Sequence, residues 1–435
     1  MRAKSPSATP PRSPASPRAL FSRHRTGGAG RLRTLAGDFD FARRVVTMDE
    51  SLTATRSRVL GYRRAVELST PGVVHDVVHL SAAPPRAIDV VWRSVLPTSG
   101  ELRSARRRLH GKALAIGGLL GTSYWLLVAS DFDLLVRLGA AAVLVLALVA
   151  VATSIMHDAN HEAFSRHRWI NRTLAYTSDA LGASSWLWRM QHNTLHHGNT
   201  NVVGFDADLE LAPWARLAPT QTWHRRFRWQ HVYIWPLYGF MSLKNVLVSD
   251  VLSLVRQRVG DQPLRHPVRA DVVVKVVLGK VAHLGWAVVV PLLFNPWWAV
   301  VAFYAACSWL VSFVLAVIFQ LAHCVDVAEV AGPDAPRRNA DFAGHQLRTT
   351  VDVDSPLPVI GHVFRWMAGG LDHQIEHHLS PRLPHTAYPV IAARFREACR
   401  REGIVYRSHP SLWAGLCSHT RWLRSMGKLD SPSSL

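Results

Sequence analysis

Long uncharged runs separated by short polar breaks mark the middle of this chain, and their spacing predicts helices that cross a membrane. From Ala113 to Ser130 no charged residue occurs. At ~1.5 Å per helical residue such a run is just long enough to span the hydrocarbon layer. A short acidic link with Asp131 and Asp133 leads into Leu134 to Met156, whose single charge, Arg137, stands near the start, where it can snorkel. A second pair is read from about Val272 to Phe294 and from Trp297 to Gln320, joined by Asn295-Pro296. Lys275, Lys280 and His283 interrupt the first member; the second carries no charge until after His323. Between the pairs, Trp229 to Leu247 is aromatic and moderately apolar with His231 and Lys244 inside it, which predicts an interfacial or re-entrant segment.

The flanks differ in kind. Residues 1–37 lack Asp and Glu and are rich in Ser, Pro, Ala and Arg, the composition of a disordered basic arm rather than of a targeting segment. Residues 38–102 are mixed and polar, broken by Pro84-Pro85, and predict soluble helices; residues 103–405 form the membrane domain and 406–435 a tail. Arg103, Arg106 to Arg108 and Lys112 precede the first span while the following link is acidic, so the positive-inside rule places the amino terminus in the cytoplasm. The second and fourth spans then both run from outside to inside.

Composition supports the membrane reading. The chain has 435 residues, 49% of them hydrophobic, and a mean hydropathy of +0.07, which fit one membrane domain with extra-membrane parts. The net charge of +20 is explained by arginine-rich flanks and by attraction to anionic headgroups. No aromatic-interleaved basic repeat or zinc-finger spacing occurs, so no nucleic-acid partner is expected. Cys307, Cys324, Cys399 and Cys417 have no paired spacing, which argues against a disulfide framework.

Chemistry concentrates in three histidine runs: His157-Asp-Ala-Asn-His161, His192-Asn-Thr-Leu-His196-His197 and Gln374-Ile-Glu-His377-His378. His157 and His161 are four apart, on one face of a helix continuing the second span. His192 and His196 repeat that spacing, while His197 is turned by about 100° around the axis. Adjacent histidines point to different places, which suits two ions better than one. His323 adds a further imidazole at the end of the fourth span. Lone residues such as His110, His283 and His345 read as surface or satisfied core histidines. Zinc commonly takes about four ligands, often thiolates. Eight candidate imidazoles without a Cys pair or a His-Glu-x-x-His motif suit two ions with open positions for oxygen, and iron is the natural redox metal for such ligands.

Over roughly residues 110 to 405 the chain resembles the membrane fatty acid desaturase family. The resemblance lies in the histidine runs, Trp188, Asn201, Gly204 to Asp208, Phe319-Gln-Leu-Ala-His323 and Gly369-Gly-Leu-Asp-His-Gln-Ile-Glu-His-His-Leu. The glutamine opening the third run is similar to the front-end and linoleoyl-CoA-type subgroup. The resemblance implies an all-α integral membrane protein: four transmembrane helices in two hairpins under a cytoplasmic helical cap that holds a di-iron site. It implies insertion of a cis double bond into a fatty acyl-CoA or acyl-lipid chain, with O2 as co-substrate. The implied metal ligands are His157, His161, His192, His196, His197, His323, His377 and His378. Gln374 occupies a further ligand position, directly or through water; His373 beside it is a rival outside the set.

Trp186, Trp188 and Trp366 are candidate walls of an acyl tunnel, although core packing is the expected role of any one of them. Arg166 to Arg172 and Arg225, Arg226 and Arg228 are candidate contacts for phosphate, or ordinary basic flanks. Asp158, Glu162 and Glu376 would orient imidazoles through their outer nitrogens, and Asp372 would cap the helix of the third run. The sequence holds no His-Pro-Gly-Gly haem motif, Rossmann fingerprint or iron-sulfur cysteine set, so electrons are expected from a separate ferredoxin or cytochrome and its reductase. Two other readings stay open: a lipid or carotenoid hydroxylase of the same superfamily, whose chemistry begins with the same hydrogen abstraction, and a membrane metal carrier or sensor. A carrier would place ligands along a path through the bilayer rather than at span ends.

Overall fold

The computed structural model describes residues 85–264, 266–332 and 341–429. The basic arm, most of the region 38–102 and the end of the tail lie outside the described residues. Helix α1 (Pro85–Ser94) turns Ile88, Trp92 and the following Val95 into a core shared with Tyr388, Ile391 and Phe395. Trp92 meets the Phe395 ring edge-on at 4.9 Å.

Helix α2 (Ser99–Val128) begins well before the uncharged run at Ala113. Thr98 and Glu101 form a capping box, satisfying amides at the helix start, so Arg103 and Arg106 to Arg108 ride on extra turns of the span helix. Asp133 caps α3 (Leu134–Asn160) by accepting the Val136 amide at 3.0 Å. Leu127 and Val128 of α2 pack with Ala140, Leu144 and Leu148 of α3. The last part of α3 is wound as a π-helical turn over Val151–Met156 before the α-helical His157–Asn160.

Two arms, α4 (Arg225–Tyr238) and α5 (Met241–Arg256), are bent by 76° at a short break. The predicted interfacial or re-entrant segment falls across this bend. A Cβ at Gly239 would lie 2.0 Å from Trp309 Nε1, so glycine lets that indole seat in the break. Among the described residues, helices α6 (Ala270–Leu292) and α7 (Trp297–His323) complete a set of four, with α2 and α3, that are long and apolar enough to cross a membrane. Lys280 is tolerated in α6 because its Nζ lies 2.6 Å from the Asp250 carboxylate of α5. Lys275 pairs with Asp271 at the exposed start of the helix.

The remaining elements gather at the histidine-bearing ends: α8 (Phe342–Thr349), α9 (Pro358–Ala368), α10 (Gln374–Leu379), α11 (Tyr388–Glu402) and α12 (Leu412–Met426). Helix α9, at 11 residues, is too short to cross. The predominantly helical fold also contains two small ladders, antiparallel β1 (Arg258–Val259) with β2 (Gln262–Pro263) and parallel β3 (Asp352–Val353) with β4 (Ser408–His409). All four cysteines are free.

Asp372 does not cap α10. The Ile375 amide donates instead to Asp352 Oδ1 at 3.0 Å, from a strand more than twenty residues earlier. The double glycine does end α9, as its position suggests: Gly369 has φ 62° and Gly370 φ 80°. A Cβ at Gly369 would also stand 2.6 Å from the Thr153 carbonyl of α3. Gly369→Ala is therefore expected to destabilise the protein by about 1–3 kcal/mol. Thermal unfolding in detergent measures this, and an unchanged transition would contradict it.

Candidate metal centre

Four chain segments deliver the histidines: His157 and His161 end α3, His192, His196 and His197 lie on and just after a π-helical turn (Arg189–His196), His323 closes α7, and His377 and His378 lie on α10. None of the eight is more than 7% exposed. Their ring nitrogens converge in two adjoining clusters. Donor atoms of His157, His161, His192 and His377 lie within 4.8 Å of one another, as do those of His196, His323 and His378. His197 groups with both His377 and His378, and so stands between the two.

The second run departs from the expected geometry. A π turn bonds residue i to i+5 and brings those positions onto one face. The His197 amide accordingly donates to the His192 carbonyl at 3.0 Å, and the two rings approach at Nε2 to 3.3 Å. His192 still lies near His196, as their spacing predicts, with ring centroids 5.3 Å apart, while His196 also reaches the second cluster.

Unpartnered ring nitrogens show what the clusters are built for. His161 Nε2, His196 Nε2, His197 Nδ1, His323 Nε2, His377 Nε2 and His378 Nε2 are all buried without a hydrogen-bond partner. His192 Nε2 is crowded instead, 3.3 Å from Nε2 of both His157 and His197. An unmet buried polar atom costs about 1–3 kcal/mol, so this convergence is unfavourable unless a cation draws on the lone pairs. Burial, reinforced by mutual repulsion, pushes His161, His192, His197, His377 and His378 well below the ordinary histidine range. The rings are thus held neutral, the form that binds metal. Two adjoining all-imidazole clusters without a thiolate fit a di-iron site.

Outer partners aim the rings. His196 Nδ1 lies 3.0 Å from Asp206 Oδ2. Burial opposes charge on that ring, yet the Asp206 carboxylate holds its pKa up at about 9. His378 Nδ1 lies 3.0 Å from Gln346 Oε1, His323 Nδ1 3.3 Å from the Thr349 carbonyl and His377 Nδ1 3.5 Å from the Tyr388 hydroxyl. In each case Nε2 is left toward the clusters.

Of the three carboxylates expected in this role, only Asp158 faces an imidazole of the clusters, with Oδ1 3.8 Å from His157 Nδ1, beyond hydrogen-bond reach. Glu162 takes a left-handed conformation with φ 61° that turns it outward to an exposed position. Glu376 is fully buried on the other side of α10, 3.0 Å from the Tyr406 hydroxyl. Burial and the charge of Asp352 push its carboxyl well above the usual range. Asp206 carries the part that sequence reasoning missed: in a loop no periodicity points to it, although it falls within the Gly204 to Asp208 motif. His373 lies outside both clusters, 3.6 Å from Asp352 and 3.8 Å from Asp372. Burial disfavours its charge, but Asp372 and Asp352 raise its pKa to about 9. Gln374 is buried beside His323 with its Nε2 unpartnered, so it does face the second cluster. His110, His283 and His345 stand apart from the clusters, each with a ring nitrogen near a backbone carbonyl.

An apolar cavity begins at His157, Trp188 and Phe319 and follows α3 through Met156, Ala152, Leu148 and Leu144 to Arg137. From Arg137 to His157 the helix covers roughly 30 Å at ~1.5 Å per residue. Trp188 forms part of the wall and stacks on His192 with ring centroids 4.4 Å apart. Trp186 and Trp366 do not line it; Trp366 packs with the core around Leu109 and Ile116.

A membrane protein whose apolar helices end in two adjoining imidazole clusters, beside a cavity of fatty-chain shape, belongs to the histidine-box class of lipid-modifying enzymes. Comparison with known proteins makes this specific. The fatty acid desaturase family profile matches residues 134–410, which include all eight histidines. The sn-1 linoleoyl-lipid 6-desaturase of Arthrospira platensis is 31% identical over 308 residues, 70% of this chain and 82% of the relative. The enzyme of the same name from Synechocystis is 34% identical over 297 residues, 67% of this chain and 81% of the relative. The acyl-lipid (8-3)-desaturase of Physcomitrium patens is 30% identical over 322 residues, 73% of this chain and 66% of the relative. The chain belongs to the membrane fatty acid desaturase family, of front-end type, and is an integral membrane oxidoreductase that desaturates fatty acyl chains.

Asp206 accepts from the Asn201 amide at 2.8 Å and the Asp208 amide at 3.0 Å as well as facing His196. Asp206→Ala is expected to cost about 3 kcal/mol through buried donors left unmet. Faster amide exchange over residues 199–208, with a lower unfolding temperature, would show it; unchanged exchange would contradict it.

Proposed function

We propose that the eight histidines hold two iron ions, His157, His161, His192 and His377 on one side, His196, His323 and His378 on the other, with His197 between. The reaction is placement of a cis double bond in an acyl chain carried by a membrane lipid, using O2 and electrons from a separate ferredoxin or cytochrome and its reductase. The convergence of unpartnered, neutral ring nitrogens at the mouth of the apolar cavity carries this reading. The lipid-linked substrate, rather than acyl-CoA, is supported by the activities named for the relatives. Bound iron supplies O2-dependent removal of a hydrogen from each of two neighbouring methylenes, with O2 ending as water.

The protein's part is positional. The cavity straightens one stretch of a flexible chain along α3 and α7, sets it against His157, and keeps water from the reacting carbons. Trp188 limits how the chain can pass His192. Gln374 contacts the second ion through a water or directly.

Residues 103–405 form the desaturase domain, with two membrane hairpins and a helical cap on the cytoplasmic side. The basic end of α2 supports this topology: Arg108 donates to the Thr386 carbonyl at 3.0 Å, just after the third histidine run, while Asp131 and Asp133 lie at the other end of the span. By the positive-inside rule the end shared by the arginines and the histidines is cytoplasmic.

Expression in a host without desaturases, with a matching electron donor, is expected to yield a new unsaturated chain in the lipid fraction by mass spectrometry. His196→Ala should abolish it. Unchanged acyl chains despite iron-loaded, reducible protein would overturn the reading. Leu148→Trp, inside the cavity, should retain iron while lowering kcat/KM by roughly 100-fold through misplacement of the chain. Full activity in that variant would place the substrate elsewhere.

A further inference from the structure

We propose that Lys112 and His385 are positioning residues for the metal centre, setting the ring tautomer of His157 through Asp158. This rests on the reading of His157 as an iron ligand. Neither residue belongs to a histidine run, and they reach the site from different elements: Lys112 from α2, His385 from the loop before α11.

The chain of contacts has one direction. Lys112 Nζ lies 3.1 Å from His385 Nε2. An ammonium has donors and no acceptor, so His385 must offer its Nε2 lone pair and carry its proton on Nδ1. That Nδ1 lies 3.0 Å from Asp158 Oδ2, which also accepts the His385 backbone amide at 3.1 Å. Two donors on one carboxylate oxygen hold the Asp158 side chain in a single orientation. Its other oxygen, Oδ1, faces His157 Nδ1 at 3.8 Å, an electrostatic contact and not a hydrogen bond. A carboxylate there favours the His157 tautomer with its proton on Nδ1, which frees Nε2 for the cluster, where it meets His192 Nε2 at 3.3 Å.

The packing around this chain is fitted to it. Asp158 is 2% and His385 4% exposed, so neither exchanges its partners for water. Lys112 sits 5.4 Å from the centre of the Trp366 ring, which holds the ammonium over an aromatic face. Gly370, in the double glycine before the third run, has space for no side chain: a Cβ would lie 2.7 Å from His385 Cβ and 2.9 Å from the Tyr388 ring. The third run thus approaches closely enough for His377 to meet His157, with ring centroids 4.5 Å apart.

The test measures iron affinity of the full-length protein in detergent by competition with a chelator, together with the iron spectrum. Lys112→Met is expected to weaken iron binding by about 10- to 100-fold and to change the spectrum, while Lys112→Arg, which restores a donor, stays near the parent. His385→Asn keeps a donor at the Nδ1 position and should bind iron more tightly than His385→Gln, whose donor sits at the Nε2 position. Arg108→Ala removes a neighbouring tie between α2 and the same loop without touching the relay, and should leave iron affinity unchanged. Equal losses in Arg108→Ala and Lys112→Met would reduce the relay to packing and overturn the proposal. So would an unchanged affinity in Lys112→Met, or no difference between the two His385 variants, where His157→Ala loses iron. Parental iron affinity in His157→Ala would instead overturn the ligand reading on which the proposal stands.

Discussion

Eight imidazoles are buried at one end of a membrane protein, five of them held neutral by burial and mutual repulsion, and the rest of the structure is organised around keeping them there. Each ring that turns Nε2 inward to no protein acceptor needs something to hold it by Nδ1, or it would rotate toward a better partner. Asp206, Gln346, the Thr349 carbonyl and Tyr388 hold four of them from outside. These partners come from loops and helices far apart in the chain. The cluster is consequently a property of the packing of the whole histidine-bearing end, and the cost of the unmet nitrogens is recovered when metal binds.

The same arrangement divides polar from apolar space. A group of acidic residues lies behind α10, away from the cavity: Asp352, Asp372 and Glu376 are buried, His373 is half-buried beside them, and the Tyr406 hydroxyl stands between the Asp352 and Glu376 carboxyls. On the cavity side the walls are aliphatic and aromatic, down to Arg137 and Asn295, which bond to each other at the far end. A hydrocarbon chain can therefore approach the histidines without meeting a carboxylate. The ion pair between Lys280 and Asp250 serves the same division, allowing a charged residue in α6 while fixing the bent arms against it.

Close approach of backbone segments completes the centre. The glycines before the third run let α10 settle against α3 and the loop of His385, and the π turns at the ends of α3 and before His197 adjust the angular position of the rings. Such turns lengthen the winding by a residue, which is how neighbouring histidines on one short helix are shared between two clusters.

Much of this was legible without coordinates. Hydrophobic run length marks the spans because the bilayer leaves a helix no other way to satisfy its backbone, and clustered histidines at span ends indicate metal because each needs a partner that apolar surroundings cannot provide. The convergence of histidines at the span ends and the bent segment around Trp229 to Leu247 follow from local pattern. Local pattern failed where winding or long-range contact decides. A π turn brings His197 to His192, where α-helical winding would turn it away; Asp372 yields its capping role to Asp352, brought in by β3; Glu162 is turned out by a left-handed backbone; and Asp206 reaches His196 from a loop without periodicity. Sequence determined which groups this protein can bring to chemistry, since side-chain type and hydropathy are carried residue by residue. Only the tertiary structure decided which ring faces which cluster and what holds it, because those choices depend on packing between segments that the chain order keeps apart.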